Sequence, residues 1–170
     1  FASTSIFLQN HGIGPARAVK IYKRYGNDTV SIIETNPYRL YREIQGIGFR
    51  IADKIAQSLG MPSEHTERIT NGIIFTLEEN SNHGHTAISE ENLHKDATLL
   101  LRVESDVIVH GIEEILSKKL IIEIKETSKT LYALNDVYFA EQAVAKKIHL
   151  LCAHPSHLPS RKKLEPQLNQ

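Results

Sequence analysis

The chain lacks several features that mark common protein classes. Its single cysteine, Cys152, excludes an internal disulfide framework and predicts a reducing, cytoplasmic compartment. No run approaches the roughly 18 apolar residues of a membrane span, and no signal peptide opens the chain, so we expect no membrane partner. Tryptophan is absent, and no set of nucleophile, base and orienting residue stands out, so no catalytic residue is predicted. The chain begins at Phe1 and ends in polar residues, which suggests a piece of a longer polypeptide.

Net charge is also zero, but the average conceals an uneven distribution. Residues 1–60 carry eight Lys and Arg against four Asp and Glu, whereas residues 61–136 carry seven against fourteen. Residues 137–170 carry five against two. A nucleic acid should therefore prefer the first segment and be repelled by the middle one.

An internal repeat is the most informative feature that is present. Gly12-Ile13-Gly14 recurs 34 residues later as Gly46-Ile47-Gly48, and seven of the fifteen positions from Gly12 to Gly26 are identical after this shift. One supersecondary unit is therefore used twice. Tetratricopeptide repeats share the period, but they need three or more copies and lack the Gly-Ile-Gly turn.

The repeat predicts five helices in residues 1–60, arranged as hairpin, connector, hairpin. The helices are expected to begin near Ser3 or Thr4, at Pro15, after an Asp28 cap, after an Asn36 cap with Pro37 in the first turn, and after Gly48. The fourth is expected to include Ile44, and the fifth to end at Gly60. This segment, residues 1–62, is the predicted binding domain.

The remaining residues predict a different architecture. The predicted elements begin with a helix that is capped by Ser63 and ends near Asn80, and a short strand over 85–88 comes next. They continue with helices from Ser89 and Ser105 and end with a hairpin of strands 120–125 and 130–134. This order predicts a winged-helix-like domain at 63–135, then a helix at 136–153 and a linker at 154–170. The would-be recognition helix carries four acidic residues, which favours packing or protein contact over DNA binding: Glu104, Asp106, Glu113 and Glu114.

The repeated turn has the chemistry of a phosphate clamp. Gly12 and Gly46 are expected at positive φ, with Ile13 and Ile47 filling the gap between helices. The second glycine of each turn lets a phosphate, or the facing helix, approach the helix N-terminus, where free N–H groups and the macrodipole favour an anion. Such contacts hold a backbone and read no bases. The predicted DNA-binding residues are Gly12, Ile13, Gly14, Pro15, Ala16, Arg17, Lys20, Gly46, Ile47, Gly48, Phe49, Arg50 and Lys54.

Both copies resemble the helix-hairpin-helix motif through the glycines, the following alanines Ala18 and Ala52, and Ile21 and Ile55. Tandem copies joined by a connector are similar to the double helix-hairpin-helix domain, which straddles the minor groove of duplex DNA. The resemblance implies a mainly α fold and backbone contacts to duplex DNA or to a junction of single and double strands. The copies differ, since the second has Phe49 beside its turn and Asp53 where an acid disfavours phosphate.

The wider order of motifs resembles the amino-terminal region of bacterial RecD/TraA-type DNA helicases. These motifs are Asn36-Pro37-Tyr38-Arg39-Leu40, Ile47-Gly48-Phe49 and Ala52-Asp53-Lys54-Ile55-Ala56. In that family the region precedes a superfamily 1 motor that moves 5′ to 3′. The motor's loop G-x-x-x-x-G-K-[ST] is absent from this sequence, so ATP and Mg²⁺ are expected only in a parent motor domain.

Two other functions stay open at this level. The chain could be an interaction module that docks on its own motor domain or on a partner protein, or the DNA-targeting part of a structure-selective nuclease. No metal site is predicted, although His83 with His85, and Cys152 with His154 and His157, have ligand-like spacings. A monovalent cation held by hairpin carbonyls is a further alternative.

Overall fold

The computed structural model describes residues 2–153, which contain nine α-helices and three short strands. The helices are α1 Ala2–Asn10, α2 Pro15–Tyr25, α3 Thr29–Thr35, α4 Tyr38–Glu43, α5 Phe49–Ser58, α6 Thr66–Asn82, α7 Glu90–Leu101, α8 Ser105–Ser117 and α9 Asn135–Ala153. The strands are β1 Ile88–Ser89, β2 Ile121–Lys125 and β3 Thr130–Leu134. The predicted linker at 154–170 lies outside the described residues.

The first five helices form the predicted arrangement of hairpin, connector and hairpin. A 3₁₀ turn at Gly26–Asp28 leads into α3, the connector. The fourth helix is preceded by the predicted cap, because the extended Asn36 accepts the Tyr38 N–H through its side chain at 3.0 Å. Pro37 has helical φ of −65° and ψ of −20°, as expected for a proline in the first turn. The helix ends at Glu43, so Ile44 lies outside it, contrary to the expectation.

The second half has the predicted order of helix, strand, helix, helix and hairpin. Its strands form one antiparallel sheet in the order β1-β3-β2, with Ile88 opposite Tyr132 and Ile121 opposite Leu134. Two predicted details are wrong. The cap of α6 is His65 rather than Ser63, because a turn closed from the His65 N–H to the Pro62 carbonyl delays the helix start. The first strand is Ile88–Ser89 rather than residues 85–88.

Two hydrophobic clusters share α5, so the apolar core does not stop at residue 62. Ile55 packs into the core of the two hairpins, whereas Ala52 and Ala56 pack with α6, α7 and α8. The mainly α fold, with paired hairpins followed by a small β-containing region, is as the sequence predicts.

Glycines bring the helices of the second half close together. A Cβ added at Gly72 would lie 2.5 Å from Leu101 Cδ2, and one added at Gly111 would lie 2.5 Å from Ile69 Cγ2. Both distances are shorter than side-chain contacts allow, so α6 meets its neighbours through these two positions. The close packing makes α6 the central helix against which α5 and the hairpins are fixed.

Candidate nucleic-acid interface

The first hairpin turns through Gly12, which has φ of +79° as predicted. The helix before it ends with the Gly12 N–H bonded to the Gln9 carbonyl and the Ile13 N–H bonded to the Leu8 carbonyl, both at 2.9 Å. Ile13 is buried in the hairpin core, also as predicted. The turn is therefore fixed by one left-handed glycine and one apolar anchor.

The N-terminus of α2 is open to solvent and carries no anionic group of its own. Gly14 is extended, with φ of −68° and ψ of 162°, and its carbonyl accepts the N–H groups of Arg17 and Ala18. Pro15 occupies the first turn, no side chain caps the helix, and this turn contains no acid. Apart from its two chain neighbours, no described residue has an atom within 4 Å of a Cβ built on Gly14, so the facing helix does not approach it. The site is open to an external phosphate.

The second hairpin repeats this geometry. Gly46 has φ of +94°, Ile47 is buried, and Gly48 is extended with φ of −84° and ψ of 167°. The N-terminus of α5 also has no side-chain cap and no acid in its first turn. By contrast, α6 and α7 are capped by His65 and Ser89 and have acids in their first turns. The N-termini of α2 and α5 therefore leave backbone N–H groups free for an external acceptor. In α6 and α7 the corresponding groups are capped by a side chain or compensated by an acid.

Two cations of the first hairpin reach the turn of the second. Arg17 donates from Nε to the Gly46 carbonyl at 3.2 Å, and Lys20 donates from Nζ to the Gln45 carbonyl at 3.3 Å. These hydrogen bonds position the two turns relative to each other. Because both side chains are exposed, their charge stays at the surface. Cationic groups already bonded to these carbonyls would repel a metal ion there. The second turn is thus a poor site for the monovalent cation that the sequence left open.

Ten of the thirteen predicted DNA-binding residues are exposed, whereas Ile13, Ile47 and Phe49 are buried. The Phe49 ring is 1% exposed, so its side chain does not reach the surface. It is stacked between Tyr38, at a centroid distance of 5.8 Å, and Phe75, at 5.3 Å. Only the backbone of Phe49 remains at the helix N-terminus.

Asp53, the acid that the sequence suggested would disfavour phosphate, is paired inside the protein. Its carboxylate accepts hydrogen bonds from Arg68 Nε at 2.8 Å and from the Tyr38 hydroxyl at 2.7 Å. Arg68 is buried and also donates to the carbonyls of Ser63 and Leu101. Burial, together with the hydrogen bond to Asp53, raises the pKa of Tyr38 above its ordinary value near 10. The Asp53 charge is therefore compensated within the junction with α6.

Sequence reasoning did not identify this junction, although one signal was present. Arg68 lies four residues before Gly72, which in turn precedes Thr76 by four, and all three share the buried face of α6. A lone cation on an otherwise buried helix face indicates an internal carboxylate partner. The sequence alone does not specify which carboxylate it is.

Two cations of the first segment, Arg24 and Arg39, are paired with an acid. Glu43 accepts from Arg39 Nε at 2.8 Å and from Arg24 at 3.2 Å. Hydrogen bonds from Arg39 and then Arg24 lower the pKa of Glu43, against the opposing effect of burial. Burial, with Glu43 nearby, raises the pKa of Tyr25 to about 12. By contrast, Lys54 is exposed and has no ion pair among residues 2–153.

No group of three or more metal-ligating side chains occurs within residues 2–153, and Cys152 is exposed. His154 and His157 lie outside the described residues. None of the helices over this range is long and apolar enough to cross a membrane.

Comparison with known proteins identifies related chains. Residues 1–87 match the family model described as the ATP-dependent RecD2 DNA helicase HHH domain. The chain is 27% identical, over 158 residues, to the ATP-dependent RecD2 DNA helicase of Deinococcus radiodurans. That alignment covers 87% of this chain and 22% of the helicase, so the chain spans about a fifth of the length of this relative.

Proposed function

Because this chain belongs to the family of ATP-dependent RecD2 DNA helicase HHH domains, we propose that it is a DNA-binding accessory region of a RecD-like 5′ to 3′ helicase. It binds the phosphate backbone of duplex DNA, or of a junction with a single strand, without sequence preference. ATP and Mg²⁺ act in a separate motor domain. The same proposal places the protein with DNA in the bacterial cytoplasm, in line with its bacterial relative.

The observation that carries the proposal is the pair of open helix N-termini. Each begins at an extended glycine, lacks a side-chain cap and has no acid in its first turn. Free N–H groups at such positions bind phosphate oxygens without contacting bases. Arg17, Lys20, Arg50 and Lys54 are exposed on the same two helices and add positive charge.

Salt dependence of duplex binding tests the proposal. Fluorescence anisotropy with random duplex DNA should show affinity that falls as salt rises, with a log–log slope of about −0.9 for each cation that contacts a phosphate. The change Lys54→Glu should weaken binding and reduce the slope by about one. Lys54 suits this test better than Lys20, because charge reversal at Lys20 would also break its bond to the Gln45 carbonyl.

A control separates local contact from net charge. Lys146→Glu makes the same charge change on α9, on an exposed helix remote in sequence from both hairpins. It should leave duplex affinity nearly unchanged. Absence of binding at low salt, or equal losses from Lys54→Glu and Lys146→Glu, would contradict the proposal.

A second function, docking on the motor domain or a partner, is favoured by α9. None of its residues is buried, and Val144, Ile148 and Leu151 lie at helical spacing with more than half of each side chain exposed. The pair Val144→Asp and Ile148→Asp should weaken association with a purified RecD-like motor domain while leaving duplex affinity unchanged. Unchanged association would remove docking through α9 as a function.

A further inference from the structure

A groove runs from the N-terminus of α5 along the exposed side of α7. Its first part is a cavity of about 700 Å³ beside Arg50 and Phe75, and its second is a cavity of about 650 Å³ beside Lys95. Leu99 and Arg102 line both parts, so the two cavities adjoin each other. Because Arg50 belongs to the first turn of α5, the groove adjoins the second hairpin.

Arg102 adopts a backbone conformation that few residues accept. It ends α7 with φ of 53° and ψ of 48°, and its N–H is bonded to the Thr98 carbonyl. Glycine is the usual residue at a left-handed helix end, because a Cβ is disfavoured there. Strained residues of this kind cluster at functional sites. The arginine side chain projects into the groove at a position where glycine would fit the backbone better.

Arg102 and Lys95 are also unusual in their charge environment. Of the seven Lys and Arg residues in the acid-rich segment 61–136, four have carboxylate partners: Arg68, Lys118, Lys125 and Lys129. Lys95, Arg102 and Lys119 have no ion pair among the described residues, and the first two of these line the groove. Glu79 and Asp96 also line it, so the groove carries acids as well as cations.

The groove contains apolar surface as well. Leu99 is 76% exposed in its middle, and the Arg50 guanidinium lies over the Phe75 ring at 6.0 Å from the centroid. Unstacked bases bind to apolar and aromatic side chains and to guanidinium planes, while cations contact their phosphates. A duplex keeps its bases stacked and has no base faces to place on Leu99.

We propose that this groove binds a segment of single-stranded nucleic acid that continues from the second hairpin, with Arg102 and Lys95 on phosphates and a base against Leu99. The inference rests on the proposed function, since the hairpins hold the adjoining duplex. It adds a second surface with a different specificity.

The test uses the 170-residue chain, an oligothymidine of about 12 nucleotides and a random duplex, with fluorescence anisotropy and thermal melting as readouts. Arg102→Gly should weaken oligothymidine binding at least about fivefold and leave duplex affinity unchanged. The Tm of this variant should equal or exceed that of the unmodified chain. The matched control is Lys119→Gly, which also removes a cation at positive φ, here 56°, but away from the groove. It should relieve the same strain without changing either affinity.

A second variant tests the base contact. Leu99→Ser removes an exposed side chain, so the fold is retained, and oligothymidine binding should fall while duplex binding persists. Equal effects of Arg102→Gly and Lys119→Gly, or no effect of either groove variant, would overturn the assignment. Binding of polyglutamate in competition with oligothymidine would assign the groove to an acidic peptide instead.

The outcomes also separate this inference from the proposed function. If the unmodified chain binds neither duplex nor oligothymidine, both fail. If duplex binding is present and sensitive to Lys54→Glu, but oligothymidine binding does not depend on Arg102, only the groove assignment fails.

Discussion

The two glycines of the first hairpin should respond differently to the same added methyl group. Gly12→Ala places a Cβ at φ of +79°, where nothing lies within 4 Å, so the cost is conformational alone. That cost is about 1–2 kcal/mol, offset by about 0.4–1 kcal/mol because alanine reduces the entropy of the unfolded chain. We expect a net loss of about 1 kcal/mol, which lowers Tm by roughly 2–4 °C in a chain of this size.

Gly14→Ala should instead change binding. Its φ of −68° suits any L-residue and the space around it is empty. The preference for Gly over Ala at a helix N-cap is offset by the lower unfolded-state entropy of Ala, so the free energy of unfolding should change by less than about 0.5 kcal/mol. The new Cβ lies in the path of a phosphate that approaches the helix N-terminus. Duplex affinity, measured by anisotropy at low salt, should therefore fall while Tm stays nearly constant.

Gly60→Ala provides the control for stability. Gly60 also has φ of +79° with nothing within 4 Å, but it lies beyond both hairpins. It should lower Tm as much as Gly12→Ala does and leave duplex affinity unchanged. An unchanged Tm for Gly12→Ala would refute the conformational argument. Unchanged duplex affinity for Gly14→Ala would show that the hairpin is a structural turn and would remove the main support for DNA binding there.

Three further predictions concern the contacts of α6 and the Asp53 cluster. Arg68→Met leaves the Asp53 carboxylate without its cation, and the loss of about 3–5 kcal/mol should lower Tm by roughly 10 °C; a change of under about 2 °C would contradict a buried pair. Gly72→Ala should cost about 1–3 kcal/mol by overlap with Leu101, and the double variant with Leu101→Ala should lose less than the sum of the single changes in thermal melts. Because the pKa of Tyr38 is raised in the folded state, its protonated hydroxyl contributes to the free energy of unfolding below a pH of about 10, and this contribution is lost as the pH rises above 10. Urea unfolding over a pH series should show the decline in stability. The variant Tyr38→Phe should show a smaller decline.

The sequence by itself determined the two hairpins and the geometry of their turns. The positive φ of Gly12 and Gly46, the burial of Ile13 and Ile47, and the helices that flank them follow from contacts within a few residues. Glycine accepts the turn and the apolar period sets the buried face, so local chemistry is sufficient. The order of helices and strands in residues 63–153 was predictable for the same reason.

Only the tertiary structure decided where the charged and aromatic side chains of the site point. Phe49 is buried because Phe75, on α6, stacks against it, and Asp53 is compensated because Arg68 reaches it from the same helix. Arg17 bonds to a carbonyl 29 residues away. These partners meet only when separate helices pack against each other. The 34-residue repeat predicts two similar hairpins, but it does not indicate that α6 covers only one of them.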